Sequence, residues 1–198
     1  MARHRKVTED TAIEAAKVAF WQHGYQGLGT RQLESETGIT RFSLQTVYGG
    51  KMALFERALD AYLEDMQTFL LPTMADGTLD GLAQWFETRC DPGSMPPAGK
   101  WGCLMIASIG EFGDGSLQVS SRALRFEAML RGAFSDALRQ IAERGDLPKR
   151  FDQAAATEML IAASIGLNVM IRAGGDCTAG LPIATGIATM IRGWGPMR

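Results

Sequence analysis

Apolar residues recur every three to four positions along most of the chain, and this spacing is typical of amphipathic α-helices. In the first such stretch, Ile13, Ala16, Ala19 and Phe20 fall on one face. Together with glycine and proline breaks, the periodicity predicts about nine helices, over residues 8–23, 30–37, 40–48, 51–71, 79–90, 102–112, 117–144, 152–172 and 181–192. No strand-like alternation competes with these assignments, so the sequence predicts an all-α fold.

Glycines and a capping residue mark the boundaries of the first three helices. Gly24 is a candidate stop for the first helix. Gly38 separates the second helix from the third, which Thr40 can cap. Three short helices with a glycine turn before the third indicate a helix-turn-helix. Leu44 and Val47 are the expected inward anchors of the third helix.

We expect two units within the 198 residues, a helix-turn-helix domain over 1–50 and a larger helical domain over 51–198. An apolar content of 46% suffices for a substantial core. With a net charge of −2, the chain as a whole is not a basic protein that would bind nucleic acid through its overall charge. Residues 3–6 nevertheless form a basic arm without acids. This arm is either a solvated tail or a contact to phosphate or the minor groove.

Several classes of protein are not indicated by the composition. Cys90, Cys103 and Cys177 are widely spaced, which favours a reducing cytoplasm over a disulfide framework. We expect neither a signal peptide nor a membrane helix, because no long apolar run is present. Both histidines, His4 and His23, precede the larger domain, and no nucleophile or phosphate-loop motif occurs. We therefore expect no metal site, no cofactor and no enzymatic activity.

Residues 11–59 resemble the DNA-binding region of the TetR (tetracycline-repressor) family. The segments are AAKVAFWQHGYQG, LGTRQLESETGI and TRFSLQTVYGGKMALFERAL, about a quarter of the chain. The agreeing positions are Phe20, Gly24, Tyr25, Leu33, Gly38, Ile39, Leu44, Tyr48, Lys51, Leu54 and Phe55. The chain departs from the family pattern at Gln45 and Thr46, where Tyr and then His or Trp are usual, and at Glu34, where a small alanine is usual.

The resemblance implies a homodimer that binds a palindromic operator in double-stranded DNA. It also implies that a small-molecule effector, bound between the helices of the larger domain, releases the DNA. Two recognition helices on a two-fold axis should meet successive major grooves about 34–36 Å apart.

The outer face of the third helix carries side chains suited to base edges. Arg41 can bond guanine through two N–H groups, and Gln45 can pair with adenine. Thr30 and Arg31 at the start of the second helix, with Tyr48 and Lys51, suit phosphates. The predicted DNA contacts, which the resemblance also implies, are Thr30, Arg31, Arg41, Phe42, Ser43, Gln45, Thr46, Tyr48 and Lys51. The alternative is an ordinary solvated helix face.

Aromatic and sulfur-containing residues in the larger domain are candidates for a ligand pocket. They are Trp85, Phe86, Trp101, Cys103, Met105, Phe112, Phe126 and Met129. The alternative is plain core packing. Cys103 is either a reactive thiol or a small buried apolar residue.

The last two predicted helices are apolar around much of their circumference, so they need cover on more than one side. The resemblance implies that they form the dimer interface, and the candidates are Met159, Ala163, Gly166, Leu167, Met170, Ile187, Met190 and Ile191. The alternative is burial within one subunit.

The sequence as a whole predicts a sequence-specific transcriptional regulator, a repressor released from its operator by a ligand. The alternative is a helical small-molecule-binding or scaffold protein without operator binding.

Overall fold

The computed structural model describes residues 8–74 and 76–196, without the side chains of residues 72 and 73. The basic arm over residues 3–6 lies outside this part of the chain. The described residues form nine α-helices and no strand. They are α1 (Glu9–Gly27), α2 (Thr30–Thr37), α3 (Arg41–Thr46), α4 (Lys51–Asp65), α5 (Leu79–Thr88), α6 (Leu104–Phe112), α7 (Leu117–Glu143), α8 (Gln153–Gly174) and α9 (Leu181–Arg192). The prediction of an all-α chain with about nine helices is confirmed.

Side-chain caps fix several helix starts. The Thr40 hydroxyl accepts the Ser43 N–H at 3.1 Å, and Asp152 accepts the Ala155 N–H at 3.0 Å. Each cap satisfies a backbone donor that the first helical turn leaves free. Local chemistry therefore sets the starts of α3 and α8 at the residues that the sequence indicates.

Two helix ends differ from the prediction by more than two residues. Gly24 has φ 73°, which breaks α1, but a further helical turn follows to Gly27. The helix expected over 51–71 is α-helical only to Asp65, and a π-helical segment, Met66–Leu70, follows. There the Leu71 N–H donates to the Met66 carbonyl five residues back, which widens the helix before a 3-10 turn over Leu71–Met74.

One cluster of buried side chains extends from the first helices into the larger body. Phe20 of α1 meets Phe55 of α4 edge-on, with ring centres 4.8 Å apart. In the body, α5 packs along α9 and α7 packs along α8. Burying each large apolar side chain stabilises the fold by about 1.5–3 kcal/mol. Because α1–α3 (the head) and α4–α9 (the body) share this core, its packing holds the head in place on the body.

Candidate nucleic-acid interface and ligand cleft

The turn between α2 and α3 depends on one left-handed residue. Gly38 has φ 71° and ψ 5°, and its N–H donates to the Glu34 carbonyl at 2.9 Å. Thr37 then donates its hydroxyl to the Leu33 carbonyl and accepts the Ile39 N–H at 3.1 Å. Glycine adopts this backbone region without the penalty that a Cβ brings, so the turn fixes the direction of α3.

Leu44 anchors α3 to the core and is 2% exposed. The expectation that Val47 is a second anchor is wrong, because this side chain is 61% exposed. The α-helix ends at Thr46, and the Gly50 N–H donates a hydrogen bond to the Leu44 carbonyl at 2.7 Å. The chain thereby turns toward α4 and leaves Val47 outside.

The outer face of α3 combines free polar groups with one exposed aromatic ring. Arg41, Gln45 and Thr46 are exposed, and Phe42 is 76% exposed. Within the described residues, the side chains of Arg41 and Gln45 have no hydrogen-bond partner. The Thr46 hydroxyl donates to the Phe42 carbonyl at 2.9 Å, so its oxygen is left to accept. The face is therefore available for hydrogen bonds to an outside molecule.

Ser43 differs from its neighbours because it is half-buried and takes part in the cap. Its hydroxyl accepts from Thr40 Oγ1 at 3.1 Å. At the start of α2, Thr30 and Arg31 are exposed. The first turns of α2 and α3 contain no acid, which leaves the positive ends of both helix dipoles uncompensated.

The other two predicted phosphate contacts already have partners within the protein. The Arg57 guanidinium lies 5.3 Å from the centre of the half-buried Tyr48 ring. Lys51 Nζ donates to the Tyr25 carbonyl and sits 4.3 Å from the Tyr25 ring centre. Burial lowers the pKa of Lys51, against the opposing effect of the Glu111 charge.

Glu111 of α6 links the body to the head, and nothing in the local sequence pattern indicates this role. Its carboxylate accepts the Tyr25 N–H at 2.8 Å and, more weakly, the Gln26 N–H at 3.4 Å. A Cβ on Gly24 would lie 2.4 Å from Glu111 Oε1. Gly24 thus provides both the positive φ and the space that this contact requires.

The eight residues predicted for a ligand pocket do not surround one cavity. Trp85 lines a cleft of about 370 Å³, while Phe126 lines a separate groove between α6, α7 and α8. Phe86, Cys103 and Met105 are fully packed in the core. Trp101, Phe112 and Met129 are half-buried against it.

A cleft of about 400 Å³ lies instead between α1, the end of α4, the π-helical segment, α5 and the following loop. Trp21, Tyr62, Met66 and Phe69 give it apolar walls, and Asp65, Arg89 and Ser94 contribute polar groups. Its size is that of a small-molecule site.

Cys103 has the environment of a structural thiol. It is 3% exposed, and the Tyr62 hydroxyl donates to its sulfur at 3.1 Å. Burial raises the pKa of Cys103 and also that of Tyr62. A thiol that stays protonated is a poor nucleophile, which favours the apolar-residue interpretation.

The residues predicted for a dimer interface divide into two groups. Leu167, Ile187 and Ile191 are buried within the chain's own core, which leaves little of their side chains to contact a partner and favours the alternative of burial within one subunit for these three. Met159, Gly166 and Met170 are exposed, and Ala163 and Met190 are half-buried. Ile165 and Val169 add further exposed apolar surface to α8.

α8 is long and apolar enough to cross a membrane by length and composition alone, with a mean hydropathy of 1.6 in its best 18-residue window. This signal is weak because core helices of soluble proteins meet the same criterion, and 44% of that window is buried here. Across the described ranges, no group of three or more His, Cys, Asp or Glu side chains could hold a metal ion.

The architecture is that of an all-helical helix-turn-helix protein with a larger helical body. No protein-family model matches the chain. Its fold is that of the TetR family regulators, and the resemblance drawn from residues 11–59 is confirmed. A TetR family regulator from Cytophaga hutchinsonii superposes with a TM-score of 0.82 at 16% identity, over 96% of this chain and 95% of that one.

Two further comparisons concern proteins described as binding or regulating DNA. The regulator CifR, a cysteine mutant complexed with 26-bp operator DNA, has a TM-score of 0.75 and 21% identity, over 98% of this chain and all of that one. Among curated proteins, the HTH-type transcriptional repressor ComR of Escherichia coli is 26% identical over 97% of this chain and 91% of its own length.

Proposed function

We propose that this protein is a sequence-specific DNA-binding transcriptional regulator that uses α3 as its recognition helix. The observation that carries the proposal is the outer face of α3, where Arg41 and Gln45 project without partners among the described residues. A protein whose fold includes a helix-turn-helix needs hydrogen-bonding groups of this kind to read base edges in the major groove. The similarity to ComR over nearly the whole chain supports the same function.

The regulator acts as a homodimer on a palindromic operator in the cytoplasm. The exposed apolar strip of α8, which contains Met159, Ile165, Val169 and Met170, supports a partner surface. A second copy of the chain covers it, and the two-fold axis repeats the recognition helix in the next major groove.

Repression with release by a ligand is the mode of regulation that we propose. The cleft beside Tyr62 and Arg89 supports a small-molecule effector. The effector shifts the balance between DNA-competent and incompetent states only as far as its affinity for the two states differs. A helical scaffold without operator binding is the competing function.

Fluorescence anisotropy on a specific palindrome tests the recognition helix. Arg41→Ala is expected to weaken specific binding by about 1–3 kcal/mol and to relax selectivity at one base pair. Arg150→Ala, an exposed arginine between α7 and α8, is the matched control and should leave binding unchanged. If the two variants bind alike, Arg41 does not read a base.

Salt dependence tests the phosphate role of Lys51. Lys51→Ala should weaken binding to all sequences and reduce the slope of log K against log salt by about 1. In this structure the ammonium is already held by the Tyr25 carbonyl. An ammonium has three N–H donors, so the phosphate contact requires only that another points outward. An unchanged slope would mean that Lys51 contacts Tyr25 but no phosphate.

A further inference from the structure

Arg89, at the end of α5, is a buried cation that lacks an ion-pair partner among the described residues. The residue is 5% exposed, and its Nε and Nη1 atoms have no hydrogen-bond partner in this part of the chain. Nη2 donates to Asn168 Oδ1 at a long 3.4 Å, and the guanidinium lies 5.4 Å from the Trp85 ring centre. Buried polar groups are rarely left unbonded, because their desolvation is costly.

Arg89 lines two clefts that adjoin each other. The clefts have volumes of about 400 and 370 Å³ and share the residues Phe69, Leu70, Arg89, Ser94 and Met95. Apolar side chains, including Trp21 and Met66, form most of the walls of the first cleft, whereas polar and apolar residues line the second about equally. A mainly apolar cleft with a few placed polar groups, as in the first cleft, is the usual design of a small-molecule site.

The carboxylates nearest these clefts already have other partners. Asp65 also lines the first cleft, and its carboxylate accepts from Lys17 Nζ. Asp76 lines the second cleft, and its carboxylate accepts the Thr78 N–H at 2.8 Å and the Thr78 hydroxyl at 2.9 Å. Asp91 accepts the Ser94 hydroxyl at 2.5 Å and the Gly93 N–H at 3.0 Å within its own loop. The Ser94 contact holds the pKa of Asp91 below its ordinary value, so this carboxylate stays charged within the loop. None of these three carboxylates forms an ion pair with Arg89.

We propose that the clefts at Arg89 bind a small organic monocarboxylic acid, with its carboxylate on the free N–H groups of Arg89 and its apolar body against Trp21, Tyr62 and Met66. The acid is the effector class for the ligand-responsive regulator, and in that respect the inference rests on the proposed function. A guanidinium forms strong charge-assisted bonds to a carboxylate. Arg89 is a single cation in clefts that the Asp65 and Asp76 carboxylates also line, and this charge balance disfavours dianions such as phosphate.

Calorimetry and thermal shift on the full chain test this with matched pairs of compounds. The probes are 3-phenylpropionate and octanoate, their neutral amides, and inorganic phosphate. Charge-assisted bonds predict that each acid binds about tenfold or more tightly than its amide, and that phosphate does not bind. Arg89→Met should remove the preference for acids, Arg89→Lys should retain part of it, and Arg150→Met should keep all of it.

The melting temperature without ligand separates a binding role from a structural one. Arg89→Met removes a buried charge that has no ion-pair partner and one long hydrogen bond among the described residues, so the unliganded variant should melt at or above the temperature of the wild type. A large fall would mean that Arg89 holds the fold together and would overturn the inference. Equal affinity for acids and amides, no binding of either acid at millimolar concentration, or acid preference in Arg89→Met would also overturn it.

DNA binding measured on the same preparations distinguishes the two proposals. Wild-type protein that binds a specific operator but does not prefer acids refutes the effector class and leaves the regulator intact. Protein that prefers acids through Arg89 but binds no specific DNA supports the carboxylate site and refutes the regulatory function.

Discussion

Replacing Glu111 with alanine tests whether the contact between head and body is a stabilising bond. The side chain lies on α6, yet its carboxylate accepts the backbone N–H of Tyr25 at 2.8 Å. A second, weaker bond comes from the Gln26 N–H at 3.4 Å. Glu111→Ala leaves both donors at the last turn of α1 without this acceptor. We expect the variant to fold but to be less stable.

The magnitude follows from the strength of the shorter bond. A hydrogen bond to a charged group contributes about 1.5–3 kcal/mol, and water partly replaces it at this half-buried site. We therefore expect a loss of about 1–2 kcal/mol in the free energy of unfolding. For a chain of this size, that lowers the melting temperature by roughly 2–8 °C. The pKa of Lys51 should also fall further, because the Glu111 charge now raises it.

Urea denaturation followed by circular dichroism measures the loss. Glu111→Gln keeps an oxygen acceptor for the Tyr25 N–H and should lose less than alanine does. Asp114→Ala removes a nearby exposed acid and serves as the control. If Glu111→Ala and Asp114→Ala are equally stable, the carboxylate does not stabilise the contact between α1 and α6.

Three further results are expected. Met170→Asp should give monomers by light scattering, whereas Leu117→Asp on α7 should not; a surviving Met170→Asp dimer would place the interface elsewhere. The Cys103 thiol should react with a disulfide reagent at pH 8 only after denaturation, because burial raises its pKa, and rapid labelling in the folded protein would contradict this. Hydrogen bonds from Arg192 lower the pKa of Glu87 below its ordinary 4.5. The stability from this pair is therefore present above about pH 4.5 and lost as pH falls through the lower folded pKa. Glu87→Gln should flatten that acid limb, and an unchanged acid limb would count against the pair.

The helix-turn-helix was predictable because its determinants are local. Gly38 supplies a backbone conformation that few other residues adopt, and the Thr40 hydroxyl caps α3 by accepting the N–H of Ser43, three residues on. Neither depends on distant parts of the chain. Val47 was mispredicted because its exposure depends on the hydrogen bond from the Gly50 N–H to the Leu44 carbonyl, which turns the chain after α3. The spacing of apolar residues does not predict this bond.

Arg89 and Glu111 could not be assigned from the sequence for a related reason. An arginine at the end of a helix, just before a proline-rich loop, is usually solvated and favoured by the helix dipole. Here the loop over residues 91–100 and Asn168 of α8 cover it. Glu111 accepts hydrogen bonds from the backbone of Tyr25 and Gln26, which lie more than 80 positions earlier in the chain. Only the tertiary packing makes these residues informative.

Selection of bound DNA from a random pool tests the central claim most directly. The full chain should enrich one palindrome whose half-site centres lie about 10–10.5 bp apart, or a multiple of that spacing, as two α3 helices on a two-fold axis require. Enrichment of no sequence, with only weak and salt-sensitive binding to every DNA, would contradict the account.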